Sequence, residues 1–278
     1  MLRAGALVPV LAAALLSQGR GPALSPAARQ AAQLDLAGQG TQARVLWQRE
    51  IDRAPSPAAK AAAVRNLAMS WAFSGDCPQT VAYEKQVMSY WQTQEHPDAH
   101  NAFYQEGEMA DEAARICIDL GALDSAAAMY QLGHERGLAE PGIAPGRRDL
   151  WEYRYQHALA RLAARRGQKA EAERAVAAAR QALAKMQSDD NKLYAQQVGF
   201  FPYLAGYVAF YGGDFKTALA DFQQDTRRDP FISAMTGLCF EKLGDAAQAR
   251  AAFAEAAKAS AHNPPAAAAL RIARRAAQ

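Results

Sequence analysis

The amino-acid sequence predicts an all-α protein assembled from repeated helix pairs. Two observations carry that prediction. Alanine is abundant and β-branched residues are sparse in a chain of 278 residues that is 50% hydrophobic; this composition favours helix over strand and is large enough for one sizeable or continuous core. In addition, Gly38, Gly75, Gly121, Gly167, Gly213 and Gly244 head the same local pattern of small and large residues, the mark of a chain built by repetition. Charged residues at 21% and aromatics at 9% exclude wholesale disorder. A net charge of +3, with the basic residues scattered, gives no footprint for nucleic acid.

Residues 1–20 read differently from the rest. Met1-Leu2-Arg3 is a short basic start, Ala4 to Leu16 is apolar and uncharged, and Ser17 to Arg20 is polar. This is the form of a secretory signal peptide, with an apolar run shorter than the roughly 20 residues a bilayer-spanning helix needs. The expectation is export, periplasmic or extracellular, followed by a mature chain with no membrane span.

The repeat begins after it. Seven residues before each glycine lies a small residue: Ala31, Ala68, Ala114, Ala160, Gly206 and Gly237. Five residues after lies alanine in five of the six, Ala43, Ala126, Ala172, Ala218 and Ala249. Nine residues after stands a large or branched apolar residue, Trp47, Tyr130, Val176, Phe222 and Phe253. Small residues let two helices approach, the large one fills the space between neighbours, and the glycine ends the first helix in a left-handed conformation. Asp76, Asp214 and Asp245 follow their glycines and are placed to cap the second helix. Pro55 and Pro230 stand where second helices stop. The units are 24–57, 61–93, 102–137, 148–187, 191–229 and 230–262, with a capping helix over 264–276. The second unit departs from the pattern, with Thr80 and Glu84 in the small and large apolar places and Pro78 near the helix start. From Gly75 to Gly213 the step is 46 residues and the last step is 31, so the middle units have longer helices or loops; Gly137 to Arg148 reads as such a loop.

The pattern resembles the tetratricopeptide repeat family, most closely in the two C-terminal units, through Gly206, Gly213, Asp214, Phe215, Ala218, Phe222 and Pro230 and then Gly237, Phe240, Gly244, Ala249, Phe253 and Ala256. The resemblance covers residues 24 to about 261. It implies a right-handed α-solenoid of about six helix pairs, each packed only on its neighbours and leaving no compact centre. It also implies a concave groove lined by the first helix of each pair.

The groove-facing stripe lies about 13, 10, 6, 3 and 2 residues before each glycine. Before Gly121 it is acidic, with Glu108, Asp111 and Asp119 beside Arg115 and Ile118. Before Gly167 it is basic: Arg154, His157, Arg161 and Arg165. Before Gly213 it is aromatic: Phe200, Tyr203, Tyr207, Phe210 and Tyr211. Arginines suit a carboxylate or phosphate, and the aromatic rings suit peptide side chains or sugar faces. Two structural readings stand beside this one. The charged stripes pair across the helix interface, and the aromatic stripe is core beneath a loop. The family's peptide-carboxylate clamp finds no match, since the stripe before Gly75 offers Arg65 but then Met69 and Phe73.

Other constellations are weaker. His96 and His100 are four apart, but Pro97 marks the first helical turn and Asp98 reads as an acidic first-turn residue, so no metal site is expected. Cys77 and Cys117 fall near the same edge of adjacent units, where a disulfide or two buried thiols would fit; Cys239 reads as a small core residue. Gly-x-Ser-x-Gly, His-Glu-x-x-His and phosphate-loop motifs are absent, and neither a catalytic role nor a cofactor is expected. The expected function is a non-catalytic exported scaffold that binds a protein or peptide in the concave groove. The alternative is a periplasmic small-molecule or glycan binder using the aromatic stripe and arginines.

Overall fold

A computed structural model describes residues 24–277 apart from 226 and 228; the expected signal peptide lies outside the described residues. Those residues form α-helices and one 3-10 turn, with no strand among them. In chain order the helices are α1 (Pro26–Leu36), α2 (Gly40–Asp52), α3 (Pro57–Phe73), α4 (Cys77–Gln92), α5 (Ala99–Leu120), α6 (Leu123–Leu138), α7 (Pro145–Arg165) and α8 (Lys169–Asp189). After α8 come α9 (Asn191–Gln197) and a 3-10 turn (Val198–Phe200), then α10 (Phe201–Tyr211), α11 (Phe215–Gln223), α12 (Pro230–Leu243), α13 (Ala246–Ala256) and α14 (Pro264–Ala276). Helices adjacent in sequence pack as pairs, α1 on α2, α3 on α4, and so on to α12 on α13.

The local causes are visible. All six turn glycines hold positive φ, between 71° and 85°, which a side chain rarely tolerates. Asp76, Asp214 and Asp245 accept from the backbone N–H of Gln79, Thr217 and Gln248, capping α4, α11 and α13. Inside each pair the small residue meets the large one. A Cβ on Gly206 would come within 2.7 Å of the Phe222 ring, and one on Gly237 within 2.5 Å of Phe253. Thr80 and Glu84 take the same two places in the second pair and are fully buried. Thr80 Oγ1 donates to the Asp76 carbonyl at 2.7 Å, whereas both carboxyl oxygens of Glu84 have no hydrogen-bond partner among the described residues. A disulfide joins Cys77 of α4 to Cys117 of α5, and Cys239 is buried.

One open alternative is resolved and two local expectations are corrected. The 46-residue step comes from long helices, 22 residues in α5 and 21 in each of α7 and α8. The expected loop of 137–148 shrinks to 139–144, because Pro145 opens α7 as its first residue, a position where its missing N–H costs nothing. Pro97 precedes α5, and Asp98 is the cap itself, accepting from Asn101 N–H.

The largest correction concerns α14. It does not cap one end but packs on α12 and α13 and also reaches back to α3 and α5. Its alanines, from Ala266 to Ala269, are buried and let the helix come close to its neighbours. Leu270 packs with Met69, Phe73 and Ile116. Arg274 donates to the Leu36 carbonyl at the end of α1. Just before α14, His262 stacks on Phe73 with ring centroids 5.1 Å apart, and its Nε2 pairs with Asp35 Oδ2 at 2.9 Å. The last helix therefore ties the first pairs to the last, and the expectation that each pair meets only its neighbours does not hold.

Candidate functional site

The first helices of the pairs do not leave one open groove. α14 covers the part of their surface near the turns, and a trough remains toward their N-terminal ends. Three adjoining cavities, which share lining residues, make it up. The outermost, about 1000 Å³, lies between Pro55–Ala62, the start of α5, Arg147 and α9. The middle one, about 360 Å³, shares Ala58, Ala62, Trp91 and Gln105 with it and adds Asn66 and Tyr90. The innermost, about 390 Å³, shares Arg65, Glu112 and Asn263 with the middle one and ends against Pro264 and Pro265 of α14. The outer part is rich in amides and aromatic rings, the inner part in charge.

The inner cavity collects side chains from the acidic and basic stripes. Glu108, Asp111, Arg115, Arg154, His157, Arg161 and Phe200 all line it. Only the first row of the expected charge pairing forms. Arg154 donates to Glu108 and, at 3.3 Å, to Tyr104 Oη. Arg65 pairs with Glu112 at 2.8 Å. Asp111 has no ion-pair partner within 4.0 Å among the described residues, and burial raises its carboxyl to about 7, against the pull of Arg154 and with a push from Glu108. His157 is 8% exposed. Burial, then the charges of Arg161, Arg115 and Arg227, hold it well below the usual imidazole range, so it is neutral near pH 7.

Arg161 is 5% exposed. Its two terminal nitrogens donate to Tyr130 Oη at 2.7 Å and Tyr203 Oη at 3.3 Å, and its guanidinium lies 5.2 Å from the Tyr130 ring centre. Phenols and ring faces thus hold this cation where a carboxylate would be the ordinary counter-charge.

The other expected groove residues go elsewhere. Tyr203 and Tyr207 are 3% and 0% exposed; they pack with Phe231 of α12 and Ala268 of α14. The aromatic stripe is therefore core at its centre, covered by α12 and α14 and not by a middle-unit loop. Phe210 turns to Phe215, 5.4 Å between ring centres. Arg165 donates to Tyr211 Oη at 3.0 Å, and Tyr211 lines a separate depression with Ala164 and Val208. Phe200 stays at the inner cavity, under the Arg227 guanidinium at 3.9 Å. The residues that sequence spacing missed are Tyr153, Tyr90, Trp91 and Gln105. Tyr153 sits one position off the basic stripe, and Tyr90 and Trp91 come from the far end of a second helix, outside any first-helix rule.

No group of His, Cys, Asp and Glu suited to a metal ion occurs among the described residues. His100 Nδ1 pairs with Glu140 at 2.7 Å, and His134 stacks on Tyr155 with centroids 4.2 Å apart. No helix among them is long and apolar enough to cross a membrane. The chain matches no protein-family model and no curated protein.

Proposed function

We propose that this chain is an exported, non-catalytic binding protein of tetratricopeptide-like, right-handed solenoid architecture, and that it holds an extended peptide segment in the trough. The single observation carrying this reading is that the three cavities adjoin in a row and share lining residues. Such a row suits a chain-like ligand better than a compact one. Its outer wall presents Asn66, Asn101 and Gln105 beside Tyr90, Trp91 and Tyr104. Amides both donate and accept, matching a peptide backbone, while rings offer flat surface to its side chains at low entropic cost. The wall also carries both signs of charge, Arg65 with Glu112 and Arg154 with Glu108, which fits a zwitterionic polyamide better than a neutral glycan. The burial of Tyr203 and Tyr207 favours this reading over a small ligand or glycan held by the aromatic stripe and the arginines.

The test is selection from a displayed peptide library, followed by fluorescence anisotropy of the selected peptides against the wild type and Trp91→Ala. Saturable binding weakened about tenfold or more by that variant, with an unchanged helical spectrum, is the expected result. Recovery of no binder, or binders indifferent to Trp91→Ala and Gln105→Ala, would sink the reading.

A further inference from the structure

We infer that the inner end of the trough is an oxyanion subsite that takes a single carboxylate or phosphate group between Arg115, Arg161, His157 and Tyr153. This deepens the peptide reading and rests on it for the source of the anion, though not for the chemistry of the subsite.

The four side chains line one cavity, and each carries polar atoms with no hydrogen-bond partner among the described residues: Nε of Arg161, Nε and Nη2 of Arg115, Nε2 of His157 and the hydroxyl of Tyr153. Arg161, His157 and Tyr153 are 5%, 8% and 2% exposed, so water has little access to them. Buried polar atoms are satisfied in nearly all native proteins, and exceptions concentrate where something else supplies the partner. Three of the four carry free N–H or O–H donors at neutral pH, burial holding the Tyr153 hydroxyl in its protonated form. The fourth, a neutral imidazole, places a donor at Nε2 in one of its two tautomers.

The charge balance points the same way. No carboxylate lies within 4.0 Å of Arg161 among the described residues. Arg115 has only Asp229, at 3.7 Å, and rests near the faces of Tyr203 and Phe231. Asp119 acts on both guanidiniums from further off and Asp111 shares the cavity wall, yet no carboxylate among the described residues makes a close pair with either arginine. A bound monoanion would give the two guanidiniums the close partner they lack and accept from the free donors around it. The tyrosines that hold Arg161 by its terminal nitrogens leave its Nε edge for that ligand. A divalent cation is disfavoured by the same guanidiniums, and an apolar group would leave every donor unmet.

The probe is inorganic phosphate, with acetate as the carboxylate counterpart and sodium chloride at matched ionic strength as the control. Thermal unfolding of the full chain is followed with each. Phosphate or acetate is expected to raise the midpoint by roughly 2–5 °C over chloride. The rise is expected to disappear in Arg115→Gln and to need about five times more anion in Tyr153→Phe, which keeps the ring and removes only the hydroxyl. No rise over chloride, or a full rise in both variants, overturns the subsite. Because Arg161→Gln removes a buried structural cation, it serves only as a check on folding. A second arm separates the sources. A trough-binding peptide with a free C-terminus, its amidated form, and an amidated form bearing a phosphorylated serine compete against phosphate. If phosphate binds in an Arg115-dependent way and no peptide does, the subsite stands and the peptide reading fails. If peptides bind through Trp91 but are indifferent to Arg115→Gln and Tyr153→Phe, the peptide reading stands and the subsite fails.

Discussion

His262 and Asp35, 227 residues apart in sequence, meet at 2.9 Å. Asp35 is fully buried and its carboxylate also accepts from Trp47 Nε1 at 2.9 Å and Ser70 Oγ at 2.6 Å. One acidic side chain thus gathers donors from α2, α3 and the approach to α14. Asp35→Asn is isosteric but turns one acceptor into a donor facing donors. The expected loss is about 2–4 kcal/mol in urea unfolding. His262→Ala is expected to raise amide exchange in α14 and α1 while leaving α8 unchanged, and uniform exchange in both variants would show that the contact ties nothing together.

Trp151 is 1% exposed and fits only because two glycines face it. A Cβ on Gly137 would lie 2.1 Å from its ring, and one on Gly107 2.4 Å. Gly137→Ala is therefore expected to destabilise by roughly 1–3 kcal/mol through overpacking, despite alanine's better helix propensity. A gain in thermal midpoint would contradict this packing.

Glu84 occupies the place of a large apolar residue, and its carboxyl is raised well above the usual range by burial, then by Glu112. In the folded state it keeps its proton to higher pH than in the unfolded chain, so its contribution declines as pH rises above the ordinary glutamate value. Glu84→Met removes an unsatisfied buried group and is expected to stabilise by about 1–3 kcal/mol at pH 7, the gain shrinking toward pH 4.

Asp111 gives a second pH signature. Its folded value of about 7 lies above the usual aspartate value of 3.8, so the native state binds the extra proton and stability from this group falls between about pH 4 and pH 7. Asp111→Asn is expected to raise the thermal midpoint at pH 8 and leave it unchanged near pH 4. Carbon-13 titration of the Asp111 carboxyl provides the direct check; a midpoint near 4 would refute the assignment.

The Cys77–Cys117 bridge closes 40 residues. Loop-closure entropy assigns it about 4 kcal/mol at most, so Cys77→Ala/Cys117→Ala is expected to lose about 2–4 kcal/mol in chemical unfolding, with the helical spectrum kept.

Much of the helix pattern was legible because it is local. A glycine that needs positive φ, an aspartate one residue later and an alanine and a ring at fixed offsets act within one pair, and Gly206 against Phe222 is the contact they encode. What was not legible depends on distant chain. Tyr203 and Tyr207 repeat with a groove-facing period, yet Phe231 and Ala268 cover them, and no local spacing announces that α14 turns back. The inner cavity was half visible. Arg115, Arg154, His157 and Arg161 fall on the stripes, whereas Tyr153 and the orphaned donors emerge only when three helices and Asn263–Pro265 meet.

The return of α14 also bears on how the molecule folds. Most packing lies between helices adjacent in sequence, which on its own would let pairs form in any order and fray from either end. A contact such as His262 with Asp35 closes a loop of 227 residues and carries the full entropic cost of that closure. The returning helix thus acts as a latch. Until it closes, Met69, Phe73 and Ile116 lack their cover; once it closes, the first pair cannot loosen without releasing the last.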